Sequence, residues 1–101
     1  MANTIFTIEN LKERIHPVAL RYGVERVYLF GSYARGDETE SSDIDLRIDN
    51  GTIQDLFELS GFHQELEDIF SESIDIITTG SLDEKFLSRI ANEEVLLYER
   101  A

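Results

Sequence analysis

Only twelve residues separate the strand-like segment 24–30 from Asp43, where a second, alternating strand-like segment begins. Residues 24–30 are dense in β-branched and aromatic side chains and read as a strand ending at Gly31-Ser32. A parallel connection needs a crossover of a dozen or more residues, usually a helix. Part of this link is taken up by a short helical turn, so the two strands are expected to run antiparallel. That arrangement brings Gly31 and Ser32, at the end of the first strand, beside Asp43 and Asp45, at the start of the second. Along the second strand Ile44, Leu46 and Ile48 alternate with Asp43, Asp45, Arg47 and Asp49. One face is therefore buried and the other functional or wet.

Each of these residues suits one kind of chemistry. Gly31 has no side chain, so backbone N–H groups there can approach an anion closely. Ser32 adds a hydroxyl and opens a short helical turn, whose N-terminus favours phosphate. Asp43 and Asp45, two apart on a strand, project from the same face. Two carboxylates so close repel unless a divalent cation or a proton neutralises them, as at a metal-bound nucleoside triphosphate. A plain hairpin with an acidic, solvated loop accounts for the glycine and the charge. It does not account for two aspartates interrupting one face of an apolar strand.

The stretch Leu29-Phe30-Gly31-Ser32-Tyr33-Ala34-Arg35-Gly36, followed by Ser41-Ser42-Asp43-Ile44-Asp45-Leu46, resembles the signature of the nucleotidyltransferase superfamily. That group includes the polymerase-β-like enzymes, and the likeness is greatest to the minimal nucleotidyltransferase (MNT) branch. It extends from the helix before Val24 to Tyr98. The resemblance implies an α/β (α+β) nucleotidyltransferase fold, a mixed three- to four-stranded sheet with helices packed mainly on one side. It also implies a third metal-linked carboxylate in an apolar–Asp–apolar–apolar strand. Ile74-Asp75-Ile76-Ile77 matches, the other reading being an edge-strand aspartate facing water.

In the implied mechanism two Mg²⁺ ions, for which Mn²⁺ can substitute, bridge Asp43, Asp45 and Asp75 to the triphosphate of ATP. Asp43 and Asp45 hold the nucleotide-bound ion and share the second. Asp75 binds the second ion and accepts the proton of the hydroxyl that displaces pyrophosphate from the α-phosphorus. Gly31 and Ser32 hold the outer phosphates. Ser42 falls in the family's nucleotide-binding pattern and orients the turn rather than touching substrate. Arg35 either contacts the triphosphate or pairs with Asp37, Glu38 or Glu40.

Larger members of the superfamily carry a second, usually helical domain for the base or acceptor, whereas these 101 residues end about where the catalytic core ends. MNT chains are typically paired with a helical HEPN-type toxin, transferring AMP from ATP to a toxin tyrosine and silencing its RNase activity. That is the leading expectation. One alternative is a non-catalytic antitoxin that neutralises by covering the toxin; another is a small-molecule transferase of the aminoglycoside nucleotidyltransferase kind. A core this small is expected to leave an apolar strip for a partner.

Composition bounds these readings. The length fits a single domain over residues 1–101. Lys plus Arg number 9 against 21 Asp plus Glu, a formal charge of −12. No basic stripe can track a phosphate backbone, so stable nucleic-acid binding by this chain alone is not expected. A triphosphate remains possible because the metal reverses the local sign. The charge also suits a basic protein partner. There are no cysteines, hence no disulfides or thiolate chemistry, in keeping with a reducing compartment. With neither a signal peptide nor a membrane-spanning run in view, a cytoplasmic location is expected.

Elsewhere, residues 8–22 read as a helix with Ile8, Leu11, Ile15, Val18 and Ala19 on one stripe. Pro17 is expected to kink or split it and Gly23 to stop it. Asn50-Gly51 marks a turn. Residues 52–70 are mainly helical with a break near Ser60-Gly61. Residues 73–78 form a third strand, parallel to the second because a helical crossover joins them. Ser81-Leu82-Asp83-Glu84 has the form of a capping box opening a helix to about Asn92. Residues 95–98 either form a short strand, the favoured reading, or extend that helix. Arg47 shares the aspartates' face, where an ordinary cross-strand ion pair is favoured over neutralising the carboxylates or contacting nucleotide. His16 and His63 show no metal-ligand spacing and read as structural or surface residues. Residues 37–40 form an acidic loop at the mouth of the site. Tyr33 either packs over the Gly-Ser turn or is a surface aromatic.

Overall fold

Thr7 starts the first helix, α1 (Ile8–Tyr22), by a reciprocal capping interaction with Asn10. The computed structural model describes residues 6–39 and 43–100. In α1, Leu11, Ile15, Val18 and Ala19 are buried, and Ile8 packs against them partly exposed. Of the two effects expected of Pro17, the split does not occur: α1 runs through it as one helix. Pro17 and Glu13 both lie on the exposed face, so the carbonyl that loses its helical partner is open to water. Gly23, at φ 72°, ends the helix in the left-handed conformation.

Strand β1 (Arg26–Phe30) follows, then the single turn α2 (Ser32–Arg35), then β2 (Ile44–Asp49). β1 and β2 are antiparallel, with Phe30 opposite Asp45 and Tyr28 opposite Arg47. Helix α3 (Leu56–Phe70) leads to β3 (Ile74–Thr78), which is parallel to β2 and sets Asp75 in register with Asp45. A 3₁₀ turn, helix α4 (Glu84–Ala91) and β4 (Val95–Glu99) complete the order. β4 is a strand, antiparallel to β1. The mixed sheet is four-stranded, in the order β3-β2-β1-β4.

Val27 and Leu29 of β1 and Ile44, Leu46 and Ile48 of β2 are fully buried in one core with residues of α1 and α3. Each such side chain contributes roughly 1.5–3 kcal/mol relative to exposure. These two helices thus cover one face of the sheet. On the other, α4 approaches the site end, where Phe86 meets Phe30 edge-on at 6.4 Å. No helix among the described residues is long and apolar enough to cross a membrane. Leu20, Leu56 and Phe57 are apolar and exposed, Phe57 by 90%.

Two further expectations change. α3 begins at Leu56 rather than Thr52 and does not break at Ser60-Gly61. Residues 50–53 are instead held as a turn, with the Thr52 N–H on the Gly23 carbonyl, and the Asp55 carboxylate caps the helix. Gly61 lies against α1, where a Cβ would come within 2.8 Å of the Tyr22 hydroxyl. It is a contact residue for packed helices rather than a breaker. The cap of α4 is Asp83, which accepts the Phe86 N–H at 2.8 Å, while the Ser81 hydroxyl donates to the Thr78 carbonyl. Ser81 is occupied by the 3₁₀ turn Thr79–Ser81.

Candidate active site

Gly31 is where β1 turns into α2. Its φ of 77° and ψ of −155° lie in a region open essentially to glycine alone. A Cβ on it would stand 2.3 Å from Asp45 Oδ2. The missing side chain thus lets the turn form and lets the Asp45 carboxylate lie against the backbone that opens the helical turn. Gly31→Ala is expected to cost about 1–3 kcal/mol of stability from the strained backbone and to displace Asp45. Chemical denaturation checks the first effect; an alanine variant as stable as the wild type contradicts the geometry.

Asp45 and Asp75 face each other from adjacent strands, in register, where backbones lie about 4.8 Å apart. The Asp45 carboxyl is pushed up from 3.8 to about 6. Burial is the largest cause, followed by the charge of Asp75, a hydrogen bond with Asp75, and the charge of Asp43; the charge of Arg35 opposes them. Asp45 thus resists ionising beside a second carboxylate. Asp43 lies exposed, just before β2. Among the described residues no three carboxylate, imidazole or thiolate groups are gathered closely enough to count as a metal cluster. What converges is the pair Asp45–Asp75 beside Gly31, with Asp43 near enough to act by charge.

This raised pKa has a definite sign in stability. The native state holds the Asp45 proton more tightly than the unfolded chain. The stabilisation is therefore full below about pH 4 and lost as pH rises through about 6. Asp45→Asn keeps the shape without the charge. In metal-free buffer it is expected to melt higher than the wild type at about pH 7–8, the advantage shrinking as pH falls toward 4. Equal differences at both ends of a pH series of melts would refute the assignment.

Arg35 pairs with Asp37 at 3.4 Å, one of the readings left open, and with Glu93 at 3.5 Å, which was not among them. Its side chain is half exposed, and its charge reaches Asp45. Tyr33 is 4% exposed and part of the core, which excludes the surface reading. Ser42, like Ser41 and Glu40, lies outside the described residues.

Arg47 is held in an ion pair, but not the ordinary cross-strand one favoured above: its partner Glu94 lies just before β4, which is not a neighbour of β2. The Arg47 side chain is 10% exposed. Both Nε and Nη2 donate to the Glu94 carboxylate, the second at 2.9 Å. Nη1 donates to the Thr79 hydroxyl at 2.6 Å, and the guanidinium lies 4.1 Å from the Tyr28 ring centre. This supposedly wet face is dry one row behind the aspartates. Arg47 ties the segment after β3 and the residue before β4 to the central strand. Glu94 and Thr79 lie far away in sequence, and an unpaired arginine inside an apolar strand was the only signal for them.

The polymerase beta nucleotidyltransferase family matches residues 13–101. A Methanocaldococcus jannaschii protein named as a protein adenylyltransferase is 38% identical over 88 residues, covering 87% of this chain and 95% of its own length. A structure described as a minimal nucleotidyltransferase superposes with a TM-score of 0.77 at 27% identity, over 92% of this chain and 98% of that one. A chain in the structure of a tri-AMPylated Shewanella oneidensis HEPN toxin in complex with an MNT antitoxin shares the fold. Its TM-score is 0.69 at 17% identity, over 93% of this chain and 74% of that one.

Proposed function

This chain belongs to the polymerase beta nucleotidyltransferase family and is a nucleotidyltransferase; from that premise we propose that it is a Mg²⁺-dependent protein adenylyltransferase. It transfers AMP from ATP to a tyrosine hydroxyl of a HEPN-type toxin and so acts as the antitoxin. The observation that carries this reading is the in-register Asp45–Asp75 pair, with the Asp45 carboxylate lying against Gly31, which has no Cβ to displace it. The M. jannaschii relative named as a protein adenylyltransferase and the fold shared with the AMPylated-toxin complex support it.

The residues fit a divalent ion. Carboxylate oxygens are the hard donors that Mg²⁺ takes. Asp45 and Asp75 stand in register, and the charge of Asp75 raises the Asp45 carboxyl; a cation between them would relieve that repulsion. Asp43, Asp45 and Asp75 would hold the metal, which when bound neutralises the triphosphate and the charge gathering on pyrophosphate. Gly31 and Ser32 receive the outer phosphates through backbone N–H groups and a hydroxyl. Arg35 turns from Asp37 and Glu93 toward the triphosphate, and Ser42 orients the turn before Asp43. Asp75, the exposed member of the pair, accepts the tyrosine proton. The tyrosine oxygen bonds to the α-phosphorus as the bond to the β-phosphate bridging oxygen breaks, and pyrophosphate leaves with that electron pair.

Co-expression with the toxin and intact-mass measurement of it tests the proposal. A toxin heavier by one or more AMP units is expected. A toxin that is inhibited at its unmodified mass would favour the binding antitoxin instead.

A further inference from the structure

β3 is an outer strand of the sheet, and its free edge is covered at one residue. The Ile44 N–H donates to the Ser73 carbonyl, so the ladder to β2 uses the groups on either side of Ile74 and leaves those of Ile74 pointing outward. Both are taken by α3. The Ile74 N–H donates to Glu67 Oε2 at 3.3 Å, and His63 Nε2 lies in hydrogen-bond contact with the Ile74 carbonyl. A carbonyl only accepts, so Nε2 carries the proton. His63 and Glu67 stand one helical turn apart, Nε2 to Oε2 3.4 Å, and grip one residue from both of its backbone groups.

That residue directly precedes Asp75. The Ile74 side chain is 1% exposed and fixed in the core. Its carbonyl belongs to the same planar peptide unit as the Asp75 N–H. Holding that plane fixes how Asp75 leaves the strand toward Asp45, and misplacement by an ångström can cost two orders of magnitude in rate. We propose that His63 and Glu67 are positioning residues, a clip from α3 that aims the Asp75 carboxylate at the shared site. The inference rests on the reading above, that Asp75 is the third carboxylate.

The test uses Mn²⁺ alone as probe, its binding to the purified chain followed by the electron paramagnetic resonance of the free ion. Asp75→Asn is expected to weaken binding by about tenfold or more, and His63→Phe, which keeps a ring and removes the donor, by about tenfold. Glu67→Met moves in the same direction through the other hydrogen bond. His63→Gln, which restores an N–H donor, recovers most of the affinity. The double variant His63→Phe/Asp75→Asn binds no more weakly than Asp75→Asn alone, because the clip acts through that carboxylate. Wild-type affinity in His63→Phe, or its full penalty added on top of Asp75→Asn, overturns the clip while leaving the site standing. Wild-type affinity in Asp75→Asn overturns the third carboxylate and the clip with it. Circular-dichroism melts accompany each variant. If His63→Phe and Glu67→Met both unfold, the pair holds the fold rather than Asp75, and the proposal is lost.

Discussion

Asp75→Asn is expected to fold, to bind the proposed toxin partner as the wild type does, and to carry out the proposed AMP transfer slower by a factor of about 10² or more. The substitution is nearly isosteric and sits on an exposed position of an outer strand, so little packing is lost. It also removes one of two facing carboxylates, which relieves repulsion on Asp45 in the metal-free protein. What disappears is the group proposed both to hold the metal and to take the tyrosine proton. The size of the loss follows from losing both at once. Toxin affinity, measured separately, distinguishes a chemical defect from failed docking. Transfer within tenfold of the wild-type rate would remove Asp75 from the chemistry.

Arg47→Met should produce the largest change in stability, a loss of about 3–5 kcal/mol. Methionine retains the length of the apolar stem but leaves Glu94, whose side chain is 9% exposed, as a buried charge without its partner. The Thr79 hydroxyl loses a donor, and the Tyr28 ring loses its cation. For a domain of this size the loss lowers the melting midpoint by more than about 10 °C, a large share of the about 5–15 kcal/mol that folded domains possess. Arg47→Met/Glu94→Met is expected to recover most of it, because an apolar pair no longer carries the desolvation cost of a stranded charge. Equilibrium unfolding of both single variants and the double variant closes the cycle. A single variant within about 1 kcal/mol of the wild type would show that the pair is solvated rather than buried.

The backbone path was largely legible because local rules governed it. The twelve-residue link set the antiparallel pairing of β1 and β2, and the helical crossover set β3 parallel to β2. Alternation along β2 separated Ile44, Leu46 and Ile48 from the aspartates, and Gly31 was picked out by the need for a bare backbone. Where the reading failed, a distant contact outweighed a local preference. Gly61 looks like a breaker until Tyr22 is packed against it, and Ser81 looks like a cap until Asp83 takes that role. For Tyr33 the local pattern left packing and exposure both open until the core closed over it, and Arg47 signalled a partner without saying that it is Glu94.

The sequence alone therefore determined which residue types meet at the end of β1 and the start of β2, because short connections and period-two alternation leave few choices. Only the tertiary structure decided the electrostatics. Whether Asp45 stays protonated depends on its burial and on Asp75, 30 residues away in the chain. Whether Arg47 serves substrate or fold depends on a glutamate beyond α4. Charge interactions act through space with a strength set by local desolvation, and neither distance nor desolvation is written in the order of residues.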